Sequence, residues 1–188
     1  MVATQDDPRF LRSREAILTA AREVLLAHGP GAVTHARVAE QAGIARATVY
    51  RHWPRTDQLL AEAMATVPMP FFEAPDAPTR EWLVRELTAL ARQLDHHDVR
   101  VIATTLAGSA LWEDDMDARR ARFADLLAGR LAGALEAARS RGEVDLHTAP
   151  RDAAALAIGP LYYRATIERG TTDEGVIATV VDSLGRWR

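Results

Sequence analysis

Apolar residues in this chain recur at spacings of three and four rather than two, in stretches separated by Gly and Pro. Such spacing gathers apolar side chains on one face of a helix, whereas a half-buried strand needs alternation. The pattern therefore predicts an all-α fold without a sheet. We expect a first helix at about residues 12–28, two short helices, a fourth ending near Val67, and then helices near residues 79–96, 99–112, 115–141, 150–168 and 173–185.

A proline-rich segment indicates that these helices form two parts. Five prolines fall between residues 54 and 78, around Phe71 and Phe72. We predict a three-helix head at residues 9–55 and a helical body at residues 56–188. Pro160 falls inside the helix predicted at residues 150–168. It should cause a kink or a restart there, because proline lacks an amide hydrogen.

Charge is unevenly distributed along the chain. All 23 basic residues are Arg, a bias typical of GC-rich genomes, so their positions are more informative than their number. Residues 9–58 hold eight Arg against four acidic residues, whereas residues 59–188 hold fifteen against twenty. A basic head on an acidic body predicts that the head meets a polyanion.

The absence of some features excludes several classes of protein. The chain has no Cys, which rules out disulfides, thiolate metal sites and cysteine nucleophiles and fits a reducing compartment. The longest uncharged stretch of note, Val101 to Trp112, is shorter than the roughly 20 residues of a membrane-spanning helix. No signal segment opens the chain. We therefore predict a cytoplasmic protein without membrane contact.

An enzyme is the main alternative of a different class, and the sequence gives it little support. No Gly-x-Ser-x-Gly is present, and the only dense group of metal-ligand residue types is His96-His97-Asp98. Adjacent side chains on a helix point about 100° apart, which fits a solvated helix end better than a metal site. We predict no catalytic activity, no metal and no cofactor.

Residues 35–53 have the spacing of a helix-turn-helix. Ala39 is small enough to let two helix backbones approach, and Gly43 can adopt the left-handed conformation of the turn. Thr34 and Thr56 lie where they can cap the helices that follow them. The residues predicted to face the interior of this unit are Val38, Ala42, Ile44, Val49 and Trp53.

The second short helix of this motif would present a small, polar outer face. Arg46 lies in its first turn, where it can form paired hydrogen bonds with guanine in a major groove. The alternative is that Arg46 and Arg51 form only a solvated face. Duplex DNA is the predicted partner, and the predicted contacts to its bases and phosphates are Thr34, Arg46, Ala47, Thr48, Tyr50, Arg51, His52, Arg55 and Thr56.

Three segments of the head also carry a family resemblance. They are Ala-Glu-Gln-Ala-Gly-Ile at residues 39–44, Thr-Val-Tyr-Arg-His-Trp at residues 48–53, and Leu59-Leu60. With these segments, residues 14–64 strongly resemble the DNA-binding domain of the tetracycline-repressor (TetR) family of bacterial transcription regulators.

Three positions depart from the pattern of that family. Ala45 lacks the hydroxyl with which Ser or Thr often caps the recognition helix. Ala47 stands where Gly is frequent. Thr56 stands where a phosphate-binding Lys is common, and Arg55 would take over that contact.

The resemblance implies that residues 9–55 are a helix-turn-helix DNA-binding domain and that residues 56–188 are an effector-binding and dimerisation domain. It also implies a repressor that binds a palindromic operator and is released when a small molecule enters its body. Few charged residues lie in the predicted lining, so we expect a largely apolar effector. The alternative is a DNA-binding protein with a solid body and no effector. The residues predicted to line the pocket are Phe72, Trp82, Thr105, Ser109, Trp112, Met116, Phe123 and Tyr162.

A homodimer is predicted because one short helix reads only a few base pairs, whereas a pair reads two half-sites. The helices predicted at residues 150–168 and 173–185 would form the dimer interface. The first presents a smooth surface and the second an apolar stripe. The resemblance implies the same pair of helices. The predicted interface residues are Ala153, Leu156, Ala157, Pro160, Val176, Val180 and Leu184.

Overall fold

The structure is a computed structural model that describes residues 8–64, 71–73, 75 and 78–188. Within these ranges the prediction of an all-α fold is confirmed, because nine α-helices account for most of the chain. They are α1 (Pro8–His28), α2 (His35–Ala42), α3 (Arg46–His52), α4 (Thr56–Ala63), α5 (Thr79–Asp95), α6 (His97–Ser109), α7 (Asp114–Ser140), α8 (Pro150–Tyr163) and α9 (Glu174–Ser183).

The chain divides into two compact units. The first contains the described residues up to Met64 together with residues 101–120, and the second contains the described residues between 71 and 100 together with residues 121–188. Helix α4 belongs to the first unit, and helices α6 and α7 contribute residues to both. The domain boundary at residues 55 and 56 stays a prediction.

The first unit is built around the apolar face of α1. Ile17, Ala20, Ala21, Val24 and Leu25 of this helix are all buried, which is the face that the spacing of three and four predicts. Helices α2 and α4 pack against α1, and α3 packs against α2.

The second unit has a core of its own. It is formed by the inner faces of α5, α8 and α9 and by the part of α7 that follows residue 120. Leu83 and Leu87 of α5, Leu131 and Leu135 of α7, and Leu161 of α8 are fully buried.

The prediction that no sheet is present is wrong. Strands β1 (Val144–Leu146) and β2 (Gly185–Trp187) pair antiparallel, with Val144 opposite Trp187. A Cβ atom added to Gly185 would lie 2.5 Å from the carbonyl oxygen of Asp145, so only glycine lets the two strands approach this closely. Three-residue strands are too short to show a period of two in the sequence.

The structure also changes the helix expected at residues 150–168. Helix α8 continues through Pro160 to Tyr163 and does not restart at the proline. A π-helical turn follows at Arg164–Glu168, and it ends at Arg169 in the left-handed conformation with φ of 56°. The helix thus becomes irregular four residues after the proline, and a kink at Pro160 itself stays a prediction.

Two helices begin or end at residues other than those predicted. Helix α1 begins at Pro8 rather than near residue 12, and α4 ends at Ala63, with Met64 as its C-cap. The predicted end near Val67, like Pro68 and Pro70 of the predicted junction, lies outside the described residues. No helix in the described part of the chain combines the length and the apolar character needed to cross a membrane.

Candidate nucleic-acid interface

The turn between α2 and α3 has the geometry that its glycine predicts. Gly43 has a φ of 64°, and its amide donates to the carbonyl of Glu40 at 3.2 Å. The amide of Ile44 donates to the carbonyl of Ala39 at 3.0 Å. These two hydrogen bonds close the end of α2 and direct the chain into α3.

The caps of the short helices differ from one another. The Thr34 hydroxyl accepts from the amide of Arg37 at 3.2 Å, as predicted for the cap of α2. The prediction that Thr56 caps α4 is wrong, because the cap position is Arg55 and Thr56 is already the first helical residue. Ala45 heads α3 without a side-chain cap.

Helix α3 is anchored at its inner face and at its end. Val49 and Trp53 are buried, as predicted. The Trp53 indole nitrogen donates to the carboxylate of Glu62 in α4 at 2.5 Å. Arg14 of α1 forms an ion pair with the same carboxylate, and its guanidinium carbon lies 5.6 Å from the centre of the indole ring. Side chains from α1 and α4 therefore hold the end of α3.

The outer face of α3 carries two cationic side chains. Arg46, Ala47 and Arg51 are exposed, and Thr48 is half-buried. Arg46 donates to the hydroxyl of Tyr50 at 3.1 Å, and Arg51 donates to the hydroxyl of Thr48 at 3.4 Å. The face that the sequence predicts for base reading is thus open and basic.

Arg55 is exposed but carries a carboxylate partner. It forms a close, two-pronged hydrogen-bonded ion pair with Asp57, and a nitrogen of its guanidinium lies 4.0 Å from the Asp115 carboxylate. The hydrogen bond with Asp57 raises the pKa of Arg55. A phosphate at Arg55 would have to compete with these carboxylates.

His52 does not lie on the open face where a phosphate contact was predicted. Its ring is half-buried and packs against Phe10 of α1, with 4.2 Å between the ring centres. Its Nε2 lies 3.0 Å from the hydroxyl of Ser13, and that hydroxyl donates its own hydrogen to the carbonyl of Phe10. Nε2 must therefore be the donor to Ser13, and Nδ1 has no hydrogen-bond partner among the described residues.

This environment disfavours a charged His52. Burial lowers the pKa of His52, and the nearby charges of Arg14 and Arg51 lower it further. The imidazole thus serves as a contact between α1 and α3, and its predicted contact with a phosphate stays a prediction.

Sequence reasoning did not single out four residues that shape this unit: Phe10, Ser13, His35 and Glu62. His35 is buried and its Nε2 donates to the carbonyl of Trp53 at 2.7 Å. A signal for His35 was available, because it shares a helical face with the inward residues Val38, Ala39 and Ala42 at spacings of three, four and seven. Phe10 and Ser13 precede the expected start of α1, or lie in its first turn, and gave no such signal.

The residues predicted to line a ligand pocket are divided between the two units. Thr105 and Met116 are buried and Ser109 is half-buried in the first unit. Phe72 and Trp82 are buried in the core of the second unit, where their rings meet edge to face, and Phe123 and Tyr162 are half-buried there. Burial raises the pKa of Tyr162. Trp112 is 86% exposed, which corrects its assignment as a lining residue.

Two grooves lie within single units. One, of about 450 Å³, runs beside α1 and α2 past Arg12 and Gln41, and the other, of about 460 Å³, runs along α7 past Arg130 and Arg141. Neither is lined by any of the eight residues predicted for the pocket.

The residues predicted for the dimer interface differ in their exposure within the second unit. Ala153, Ala157, Val180 and Leu184 are buried in the core of the second unit, so their side chains already have partners within the chain. Leu156 is 51% exposed, and Pro160 and Val176 are half-buried. Two residues outside the predicted set, Tyr163 and Ile167, continue the exposed face of Leu156 and Pro160, at 53% and 66% exposure.

Both parts of the chain match known families. Residues 17–63 match the family described as bacterial regulatory proteins, tetR family, and residues 77–184 match the tetracyclin repressor-like C-terminal domain. An uncharacterized HTH-type transcriptional regulator of Bacillus subtilis (strain 168), YdeS, is 26% identical over 182 residues, which cover 96% of this chain and 92% of that protein.

Solved structures with the same fold are found at lower identity. A TetR transcription regulator from Haloarcula marismortui has a TM-score of 0.75 at 18% identity, covering 94% of this chain and 100% of its own. A transcriptional regulator from Saccharomonospora viridis, solved in complex with choline, has a TM-score of 0.71 at 17% identity, covering 94% and 99%.

The lowered pKa of His52 predicts a pH dependence of stability. Below its ordinary value of 6.5, the unfolded chain binds a proton that the folded chain still excludes. The His52 contribution to the free energy of unfolding is therefore complete above pH 6.5 and is lost as pH falls towards the folded-state pKa. We expect the His52→Gln variant to show a smaller decrease in Tm between pH 7 and pH 5 than the unmodified protein.

The matched control removes an exposed histidine of the same helix bundle. His28→Gln leaves the contact with Ser13 and Phe10 in place and should keep the wild-type dependence on pH. Equal slopes of Tm against pH in all three proteins would contradict the assigned environment of His52.

Proposed function

The chain belongs to the tetR family of bacterial regulatory proteins, and from this premise we propose that it represses transcription by binding a palindromic operator as a homodimer. The observation that carries the proposal is the open, basic face of α3 on a firmly anchored helix, led by Arg46. Such a helix fits the major groove of duplex DNA, where guanine offers two acceptors to one guanidinium. A protein that acts on the bacterial chromosome would work in the cytoplasm.

The proposal includes repression of transcription and release from the operator by a small molecule. The match to a tetracyclin repressor-like C-terminal domain supports repression, and the choline complex of the Saccharomonospora viridis regulator supports a small-molecule site in the body. We propose a small, largely apolar effector that favours a state in which two recognition helices no longer match successive grooves.

Base reading by Arg46 gives the first test of operator binding. Random-site selection on the purified protein should enrich one palindromic sequence, and Arg46→Ala should weaken binding to it by roughly 1 to 3 kcal/mol while relaxing the preference at one base pair per half-site. The same measurement on Arg55→Ala should weaken binding to all sequences alike and reduce the salt dependence, because that residue is proposed to contact phosphate.

Arg92→Ala removes an exposed arginine from α5 of the second unit, and as the matched control it should bind as the unmodified protein does. If selection enriches nothing and no complex forms at low salt with the DNA beside the gene, the regulator proposal is wrong.

The exposed stripe formed by Leu156, Pro160, Tyr163 and Ile167 supports a homodimer. These residues follow one another at intervals of four, three and four, so they share one face of α8 and the π-helical turn. Three of them are large apolar side chains at least half exposed, as a self-complementary interface needs before it forms. The two copies would then place their α3 helices at half-sites about 34 to 36 Å apart.

A charge placed on this stripe should separate the copies. Ile167→Glu should sediment as a monomer at micromolar concentration and lose most of its operator affinity, because a buried charge without a partner is costly. Leu111→Glu places the same charge at another exposed leucine, in the first unit, and should stay dimeric. A wild-type protein that sediments as a monomer under these conditions would contradict the proposal.

Effector control is tested by combining two measurements. Apolar and aromatic compounds, with choline for comparison, are screened for those that raise Tm, and operator affinity is then measured with and without each of them. A true effector should weaken operator binding by about 5- to 150-fold, the usual range of coupling between two sites. If every stabilising compound leaves operator affinity unchanged, the chain is a DNA-binding protein without this form of control.

A further inference from the structure

His35 lies at the base of the helix-turn-helix and is one of its few buried polar residues. It is the first residue of α2, yet its Nε2 lies 2.7 Å from the carbonyl oxygen of Trp53, which follows the end of α3. A carbonyl oxygen only accepts, so Nε2 carries the hydrogen. Nδ1 lies 3.4 Å from the Thr56 hydroxyl at the start of α4. One imidazole therefore joins three helices.

The flat side of the same ring makes a second, independent contact. It stacks on the ring of Tyr50, with 3.9 Å between the ring centres and 11° between the planes. Tyr50 lies on the outer flank of α3 and is 42% exposed. The stack fixes the plane of a side chain that would be free to rotate without it.

Tyr50 in turn holds the side chain proposed to read a base. Its hydroxyl accepts from Arg46 at 3.1 Å, and the guanidinium carbon of Arg46 lies 5.3 Å from the centre of the Tyr50 ring. An unrestrained arginine on a helix surface samples many rotamers, and binding a base would have to select one of them. Contacts that limit these rotamers beforehand reduce that entropic cost.

We propose that His35 is a positioning residue for base reading, acting through the stack on Tyr50 and the contact of Tyr50 with Arg46. The proposal rests on the proposed function, in which Arg46 contacts a base. His35 itself does not touch DNA; it determines the direction from which Arg46 reaches the groove.

The simpler role for His35 is structural, as the donor that satisfies the Trp53 carbonyl. The two roles depend on different parts of the side chain and can be separated. Stacking needs an aromatic ring, whereas the bond to Trp53 needs an N–H group. His35→Phe keeps a ring and loses the donor, and His35→Gln keeps a donor and loses the ring.

The measurement is a discrimination ratio. It compares the Kd for the selected operator with the Kd for the same operator altered at the one base pair whose preference Arg46→Ala relaxes. We expect His35→Gln to reduce this ratio by about 3- to 10-fold, the range that corresponds to an aromatic pair. We expect His35→Phe to keep the ratio within about twofold of wild type while lowering Tm, because a buried carbonyl loses its donor.

A second pair of variants tests the path through Tyr50. Tyr50→Phe keeps the stack but removes the acceptor for Arg46, and it should reduce the ratio to a similar extent. Combining it with His35→Gln should then cost little more, because both changes interrupt the same path. Tyr50→Leu removes the stack at an exposed position and should also reduce the ratio. This variant provides the test of the stack if His35→Gln does not fold.

The outcomes distinguish this inference from the function on which it rests. If the wild-type protein selects no operator, the proposed operator function and the positioning role of His35 are both wrong. If it selects one and His35→Gln and Tyr50→Leu discriminate as wild type does, the positioning role is wrong and the operator function stands. A ratio that falls in both His35 variants in proportion to Tm would assign His35 the structural role alone.

Discussion

The burial of Trp53 at the end of α3 is the interaction on which the rest of the head depends. Its indole is covered from α1 by Arg14, its nitrogen is bound by Glu62 of α4, and its carbonyl is bound by His35 of α2. Three helices thus converge on one residue, so the orientation of α3 is determined by buried and part-buried contacts rather than by the short helix itself. A seven-residue helix is marginal alone, and here tertiary packing supplies its stability.

The cations on the outer face have partners even in the free protein. Arg46 contacts Tyr50, Arg51 contacts Thr48 and Arg55 contacts Asp57. These contacts restrict the side chains and so lower the entropy lost on binding, but each must be exchanged in part for a base or a phosphate. Because burial and the charges of Arg14 and Arg51 lower the pKa of His52, the positive charge of this face comes from its guanidinium groups.

The frame of the head could be predicted from sequence, because Gly43, Val49 and Trp53 obey local rules of turn conformation and helix period. The orientation of individual surface side chains could not be predicted from sequence. His52, for example, contacts Phe10 and Ser13, which lie far from it in sequence. Helix α8 shows another limit. Ala153 and Ala157 form one apolar stripe and Leu156 and Pro160 another, and periodicity cannot tell which of the two faces the core of the same chain. The exposure of Trp112 was missed for a related reason, because hydropathy alone assigns a tryptophan to the interior.

The pairing of β1 with β2 makes residues 185–188 part of the architecture of the second unit. Chain termini usually tolerate truncation and extension, because few contacts hold them. Here the Trp187 indole donates to the carbonyl of Val181, and the amide of Arg188 donates to the carbonyl of Glu143, so even the last residues close back onto the body. A reporter or affinity peptide fused after Arg188 would therefore leave from a strand that bonds the end of α9 to the segment between α7 and α8, and it would disturb both.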